Sequence, residues 1–518
     1  MSCLVKNRLV YLAALHSRSC HTVVAKSAVV TQPLNFLNGK RMEPVNTDKQ
    51  QQFPLQYPAT GEVLKTVQSS GAVDVDIAVT AAKNGQKIWA SLSGFERGQV
   101  LKRAADICRS KQEELARAET FDTGKPIWEA RFDIQGCSDS VEYYGGLAST
   151  ISGEFLQLSK RNFAYTIREP LGVVGGIGAW NYPFQMATWK SAPALACGNA
   201  FVFKPSQMTP LTAVMLGEIY KEAGLPDGCY NVVQGACRTG QLLCNHPSID
   251  KMTFTGSVPV GSKVMEACAK DIKHVTLELG GKSPLIIFED SHLDNAVTGA
   301  MLANFLTQGQ VCSNGTRVYL YRRKIFNQFL EKLVERTKKM KIGDPFSENT
   351  TVGATISPQQ ADQVLSYIDI AKKEGATVLC GGEEVTPEPK YSKGQFISPC
   401  VLSNCHDDMT AVKDEIFGSV MSVLEFDSEE EVIDRANSTE FGLAGGVFTR
   451  DLCRAHRVIA QMQAGSLYVN NYNVYPVGVP FGGYKKSGIG RENGPEAIDY
   501  YSQVKSVYVE MNDVEAPF

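Results

Sequence analysis

From Leu171 onward the chain alternates short apolar runs with helical ones, and no other feature restricts the fold as much. Runs near 172–178, 200–203, 229–233, 251–254 and 284–288 are strand-like, separated by helical segments such as 211–223, which Gly224 and Pro226 close. A strand, a helix and a second strand of the same sheet run parallel, because the crossover returns the chain to its starting end. Repetition of that unit predicts a parallel, doubly wound sheet with helices on both faces. Upstream, 73–90 and 95–109 are predicted helices, the second with Ser93 as N-cap and Val100, Leu101, Ala104, Ala105 and Cys108 on one face. Asp122 to Pro126 reads as a turn. The segment 155–168 reads as an extended arm and the tail 500–510 as a strand, and the two are expected to pair across subunits.

At 43% hydrophobic and 21% charged residues the composition is globular, and a net charge of −3 without a basic block excludes nucleic acid or an anionic membrane surface as the main partner. No apolar run reaches the roughly 18 to 20 residues that span a bilayer. Residues 1–28 carry Lys6, Arg8, Arg18 and Lys26, and the first acid is Glu43, so this segment is either a mitochondrial presequence or a flexible tail. The 14 cysteines are scattered without a CxxC pair, as in a reducing compartment. Cys400, Cys405 and His406 fall short of a zinc ligand set, and no metal is expected.

Cys312 stands out among these cysteines because it follows an apolar helical run and a Gly309-Gln310 turn, which present it at the end of a rigid element. Its thiolate would be the nucleophile. An ordinary thiol of pKa about 8.5 is only a few per cent ionised at neutral pH, so Cys312 needs a positive field or an adjacent base. Upstream, Glu278 ends one apolar run and a Gly-Gly break leads into the next; a carboxylate so placed is costly unless paired or functional. Gly175, Gly176 and Gly178 do not make a dinucleotide fingerprint, since Asn181 stands where the third glycine belongs. A better phosphate cradle is the stretch Gly256, Ser257, Val258, Pro259 and Val260, where an apolar strand turns into a helix opened by proline.

Glu278-Leu-Gly-Gly-Lys282 and Gly309-Gln-Val-Cys312 resemble the glutamate and cysteine signatures of the aldehyde dehydrogenase superfamily, and the resemblance runs from about Asn35 to the C-terminus. It implies an α/β protein of the aldehyde dehydrogenase fold. The parts would be a Rossmann-like NAD-binding domain (29–150 and 171–281), an α/β catalytic domain (282–495) and a small β oligomerisation arm (151–170 and 496–518), after the flexible or targeting segment 1–28. It further implies Cys312 as nucleophile, Glu278 as general base for hydrolysis of a thioester, and Asn181 with the Cys312 N–H as oxyanion donors. The implied cofactor is NAD. Lys204 would meet a ribose, 256–260 the pyrophosphate, and Glu415 the nicotinamide-side ribose, with Phe417 and Trp180 in the same set. Gln207 replaces the glutamate by which many relatives exclude NADP, and Ser419 replaces a usual proline.

Within the superfamily, the stretch from Ala179 to Lys190 and Asn471-Tyr-Asn-Val-Tyr-Pro476 resemble the betaine and aminoaldehyde dehydrogenase group. That implies a small cationic aldehyde, a homotetramer, a cytosolic home and a place in carnitine biosynthesis. Tyr182 and Trp189 lie about two helical turns apart and, with Tyr475 and Phe481, are the expected π faces for a quaternary ammonium. Leu306 stands where plant betaine aldehyde dehydrogenases have tryptophan. Longer aldehydes such as 4-trimethylaminobutyraldehyde and 4-aminobutyraldehyde are therefore expected to be preferred over betaine aldehyde. Two rivals are a coenzyme A-acylating semialdehyde dehydrogenase, which needs no base like Glu278, and a structural protein on the same fold, which needs neither Glu278 nor Cys312.

Overall fold

The computed structural model describes residues 32–45, 48–322, 325–514 and 516–518, so the basic segment 1–28 lies outside the described residues. Two large sheets organise the chain. In the first, five parallel strands lie in the spatial order His274–Glu278, Lys251–Thr255, Val173–Ile177, Ala200–Lys204 and Tyr230–Val232. Antiparallel strands close its edges, Gly488–Ile489 on one side and Asn35–Leu37 with Lys40–Met42 on the other. The strand Val173–Ile177 is central: the chain moves outward from it through 200–204 and 230–232, then returns to its other flank at 251–255. A reversal of that kind opens a crevice at the carboxyl ends of the flanking strands, where open α/β sheets bind their ligands.

The 284–288 run does not belong to this sheet. As Pro284–Ile287 it lies in a second, seven-stranded sheet, between Arg317–Tyr321 and Ala444–Phe448 and parallel to both. Periodicity marks a run as a strand without saying which sheet takes it. The chain crosses from one sheet to the other over Leu279, Gly280, Gly281, Lys282 and Ser283.

Before the first sheet, helix Gly94–Ser110 starts at a capping box of Ser93 and Glu96, and Val100, Leu101, Ala104, Ala105 and Cys108 are all buried. Helix Gln112–Thr123 ends at Gly124, which takes the left-handed conformation that glycine alone adopts without cost. Helix Ile127–Leu147 packs across both.

The arm forms a third sheet within the chain. Strand Ser502–Glu510 pairs antiparallel with Asn162–Pro170 of the same chain, from Ser502 opposite Pro170 to Glu510 opposite Asn162, and Phe155–Gln157 adds the third strand. The short helix Ala497–Tyr501 is what brings the tail back, held where Asn199 Nδ2 donates to the Tyr501 carbonyl at 2.8 Å. Among the described residues no helix is long and apolar enough to cross a membrane, and no three His, Cys, Asp or Glu side chains are grouped to hold a metal.

Candidate active site

The first sheet delivers its polar residues at carboxyl ends. Val173–Ile177 runs out into Trp180 and Asn181; Ala200–Lys204 ends on Lys204; Lys251–Thr255 runs into Gly256 and Ser257; His274–Glu278 ends on Glu278. Their registers, Ile177 with Lys204 and Thr255 with Glu278, set these ends side by side.

The second sheet delivers its residues at amino ends. Cys312 precedes Arg317–Tyr321, Glu415 and Phe417 precede Val420–Phe426, and Leu443 precedes Ala444–Phe448. The two halves meet at the Gly-Gly crossing. A Cβ on Gly280 would lie 2.0 Å from Glu415 Oε2, and one on Gly281 2.5 Å from the Cys312 carbonyl oxygen. Any larger residue here would push the halves apart.

Glu278 is 2% exposed, and neither carboxylate oxygen has a hydrogen-bond partner among the described residues. Burial and then the negative charge of Glu492 hold its pKa well above the ordinary carboxylate range, against the pull of Lys190 and Arg491. Lys190 does not bond Glu278. It pairs with Glu492 in a short buried contact and donates to Thr255 Oγ1 at 2.7 Å. A base for water is expected to be unpaired and reluctant to ionise, and Glu278 is both.

Cys312 is half-buried against Trp189, Leu443, Phe481 and Tyr475. Burial, Glu415 and Glu278 all push its thiol upward, and only the backbone N–H groups of Cys312 and Ser313 pull the other way. The positive field that the sequence left open is not among these influences. Glu278 acts on the thiol through its charge, and neither of its oxygens bonds Cys312.

Asn181 is buried and spends one amide N–H on the Gln310 carbonyl at 2.8 Å, keeping the other. The loop from Thr307 to Gln310 is thereby tied to the strand end that carries Asn181.

On the cofactor side, the Lys204 ammonium is buried and donates to the carbonyls of Pro205 at 2.8 Å and Gly235 at 2.9 Å, which leaves a third proton. Burial lowers its pKa to about 8. Helix Val258–Ala269 begins after Ser257, whose side chain makes no capping bond, and Ser257, Pro259 and Val260 are exposed, so the free N–H groups of the first turn face outward. Glu415 Oε1 accepts the Gly281 N–H at 3.0 Å, and burial raises its pKa to about 7. Phe417 sits edge-on to Trp180 with ring centroids 5.2 Å apart, on a backbone held at φ +59°. A spare lysine proton, outward N–H groups and a part-free carboxylate along one crevice fit the phosphates and ribose hydroxyls of a dinucleotide.

Three of the four expected substrate aromatics come together. Trp189, Tyr475 and Phe481 meet edge to face at 5.5 to 6.5 Å. The Tyr475 hydroxyl is fixed by Ser313 Oγ at 2.5 Å and by Asn473. Tyr182 packs instead in the neighbouring apolar cluster, with its hydroxyl 2.7 Å from Thr307 Oγ1 and the Lys125 ammonium 4.0 Å from its ring centroid. One of its faces is already taken by a cation.

Sequence reasoning missed what lies behind Tyr182. Lys125, Glu119, Glu129 and Asp133 are buried together, Lys125 Nζ 2.7 Å from Asp133 and 3.6 Å from Glu119. Burial holds both Glu119 and Glu129 at about 7. A polar residue on a buried helix face breaks the apolar stripe, and that was the only trace in the sequence. Glu492 and Lys190 left no signal beyond their charge.

The model of the aldehyde dehydrogenase family matches residues 45–507. A 4-trimethylaminobutyraldehyde dehydrogenase A from Danio rerio is 59% identical over 96% of this chain and 97% of its own. An aldehyde dehydrogenase from Bacillus cereus, solved as an NAD+ complex, superimposes with a TM-score of 0.91 at 40% identity, over 96% of this chain and all of that one. A betaine aldehyde dehydrogenase from Staphylococcus aureus in complex with NAD+ gives 0.90 at 35% identity, over 94% and 97%. The chain belongs to the aldehyde dehydrogenase family.

Proposed function

We propose that this protein oxidises aldehydes to carboxylic acids with NAD through a thioester on Cys312, and that its preferred substrates are aldehydes with a cationic tail. The observation that carries the chemistry is Glu278, a buried carboxylate with both oxygens free, close enough to Cys312 for its charge to act on the thiol. The Cys312 thiol gives up its proton to solvent, and the sulfur adds to the aldehyde carbon. The oxyanion so formed accepts hydrogen bonds from the free Asn181 N–H and the Cys312 N–H; one such donor is typically worth on the order of 10² to 10³ in rate. Lys204, the first turn from Gly256 to Val260, Glu415, Phe417 and Trp180 would hold NAD, and what NAD supplies when bound is a hydride acceptor. Glu278 then takes a proton from water as it attacks the thioester, the acid departs, and Cys312 is regenerated. A coenzyme A-acylating enzyme or a structural protein would have no use for such a base.

The cationic preference rests on the aromatic triad of Trp189, Tyr475 and Phe481 and on the excess of buried acids behind Tyr182. The names of the relatives point the same way, and 4-trimethylaminobutyraldehyde is the substrate proposed, within carnitine biosynthesis. A cation over an aromatic face gains roughly 0.5 to 2 kcal/mol. Accordingly kcat/KM for 4-trimethylaminobutyraldehyde should exceed that for its neutral isostere 5,5-dimethylhexanal by about 10-fold or more, and Trp189→Leu should shrink the ratio. Equal values, or a ratio indifferent to Trp189→Leu, would show that charge is not read.

The domain boundaries given above are retained in this reading. Assembly as a homotetramer is proposed through the arm, where Phe155, Leu158, Val504 and Tyr508 are exposed apolar side chains. A cytosolic home is proposed as well. A mature N-terminus near residue 20 to 30 in a mitochondrial fraction would overturn it.

A further inference from the structure

The loop before Cys312 takes a backbone that its residues resist. Thr307, Gln308 and Gly309 follow one another at φ +49°, +56° and +71°, all left-handed. Glycine accepts this; a β-branched threonine does so only under compulsion. Gly309 is fixed from one side, since a Cβ there would lie 2.2 Å from the Gly418 carbonyl, on the loop that carries Glu415 and Phe417. Thr307 is fixed from the other. Its hydroxyl donates to Glu129 Oε1 in a short buried bond, its backbone N–H also reaches the Glu129 carboxylate, and the Tyr182 hydroxyl, 2.7 Å away, completes the set as donor to Thr307 Oγ1.

We infer that Glu129 is a positioning residue for the nucleophile: through Thr307 it locks the left-handed turn that sets where Cys312 stands relative to Glu278 and the Asn181 amide. Glu129 is buried beneath Thr307. It lies on helix Ile127–Leu147, and nothing in its own segment resembles a catalytic motif. The turn has no other polar hold on the Thr307 side chain than Glu129 and Tyr182 among the described residues, so removing the carboxylate frees Thr307 to relax toward ordinary backbone. Gln310, whose carbonyl holds Asn181 and whose Oε1 accepts the Ile356 N–H at 3.1 Å, would move with it.

This inference rests on Cys312 being the nucleophile, and the test separates the two. Thr307→Val removes the hydroxyl and keeps the shape; Thr307→Ser keeps the hydroxyl; Glu129→Ala removes the anchor. For each variant, kcat and KM, the rate of Cys312 alkylation by iodoacetamide, and NAD binding are measured on the full-length enzyme, with Cys312→Ala as control. A misplacement of about 1 Å costs on the order of 10²-fold, so Thr307→Val and Glu129→Ala are each expected to lower kcat by about 10- to 100-fold and to change the alkylation rate, with NAD affinity unchanged. Thr307→Ser should stay within about threefold of wild type, and the double variant Glu129→Ala/Thr307→Val should be no worse than either single one, as for residues in one chain of contacts. A Thr307→Val enzyme with wild-type kcat and alkylation rate overturns the inference, as do losses that multiply in the double variant. Should Glu129→Ala not fold, Thr307→Val decides alone. If Cys312→Ala itself keeps its activity, the reading of the nucleophile has failed and not the positioning.

Discussion

The two large sheets are built from the same alternation of strand and helix, yet they offer the site opposite ends. In the first sheet Asn181, Lys204, Ser257 and Glu278 stand at or just beyond the carboxyl ends of its strands, and helices start soon after Asn181 and Ser257, at Pro183 and Val258. In the second, Cys312, Glu415 and Phe417 stand before the strands, after loops whose backbone is irregular and left-handed at Thr307, Gln308 and Phe417. Carboxyl ends suit an anionic cofactor, because helix N-termini face it. Amino ends lack that help. Cys312 follows helix Leu293–Phe305 and a left-handed turn, and burial, then Glu415 and Glu278, hold its thiol high.

That division of labour is sharpest under Cys312→Ala, the largest effect expected. Loss of a covalent nucleophile costs about 10⁴-fold or more in kcat, while NAD affinity, which rests mainly on Lys204 and the turn 256–260 of the other sheet, should stay within about twofold by fluorescence titration. Residual turnover within about tenfold of wild type would end the assignment. Lys204→Ala is the converse experiment. Removing a charged hydrogen-bond donor should weaken NAD binding by about 10- to 100-fold, with the alkylation rate of Cys312 in the free enzyme unchanged; a change in both would mean that the sheets do not divide the work. The pH dependence is smaller still. A base acts only when ionised, and burial and Glu492 raise the Glu278 pKa, so kcat, which includes the hydrolysis, should climb about tenfold per pH unit below that raised value and level off above it. In Glu278→Gln the climb due to this group should be gone; an unaltered profile would assign it elsewhere.

The same contrast explains what the sequence could tell. The strands of the first sheet are apolar runs of three to five residues closed by a polar one, so Lys204 and Glu278 announce themselves by position. The Ser93 cap and the apolar face of helix Gly94–Ser110 are likewise local properties and are found where the pattern puts them. Membership of the 284–287 strand in another sheet, the return of the tail onto 162–170, and the burial of Glu129 beneath Thr307 depend on contacts far apart in the chain, which no periodicity records. Cys312 stands out by its place after a turn, but its role, like that of Glu415, could be assigned only through resemblance. Tyr182 shows the limit of spacing: its seven-residue interval from Trp189 is real, but Lys125 already covers one face of the ring.

The claim on which the rest depends is that Glu278 hydrolyses an acyl group held on Cys312. In Glu278→Gln, mixed rapidly with NAD and a saturating aldehyde, the account predicts a burst of NADH approaching one per active site, followed by near arrest, and an acyl adduct on the peptide containing Cys312 by mass spectrometry. A burst lost together with steady-state turnover, or a full burst with Cys312 unmodified, would contradict it.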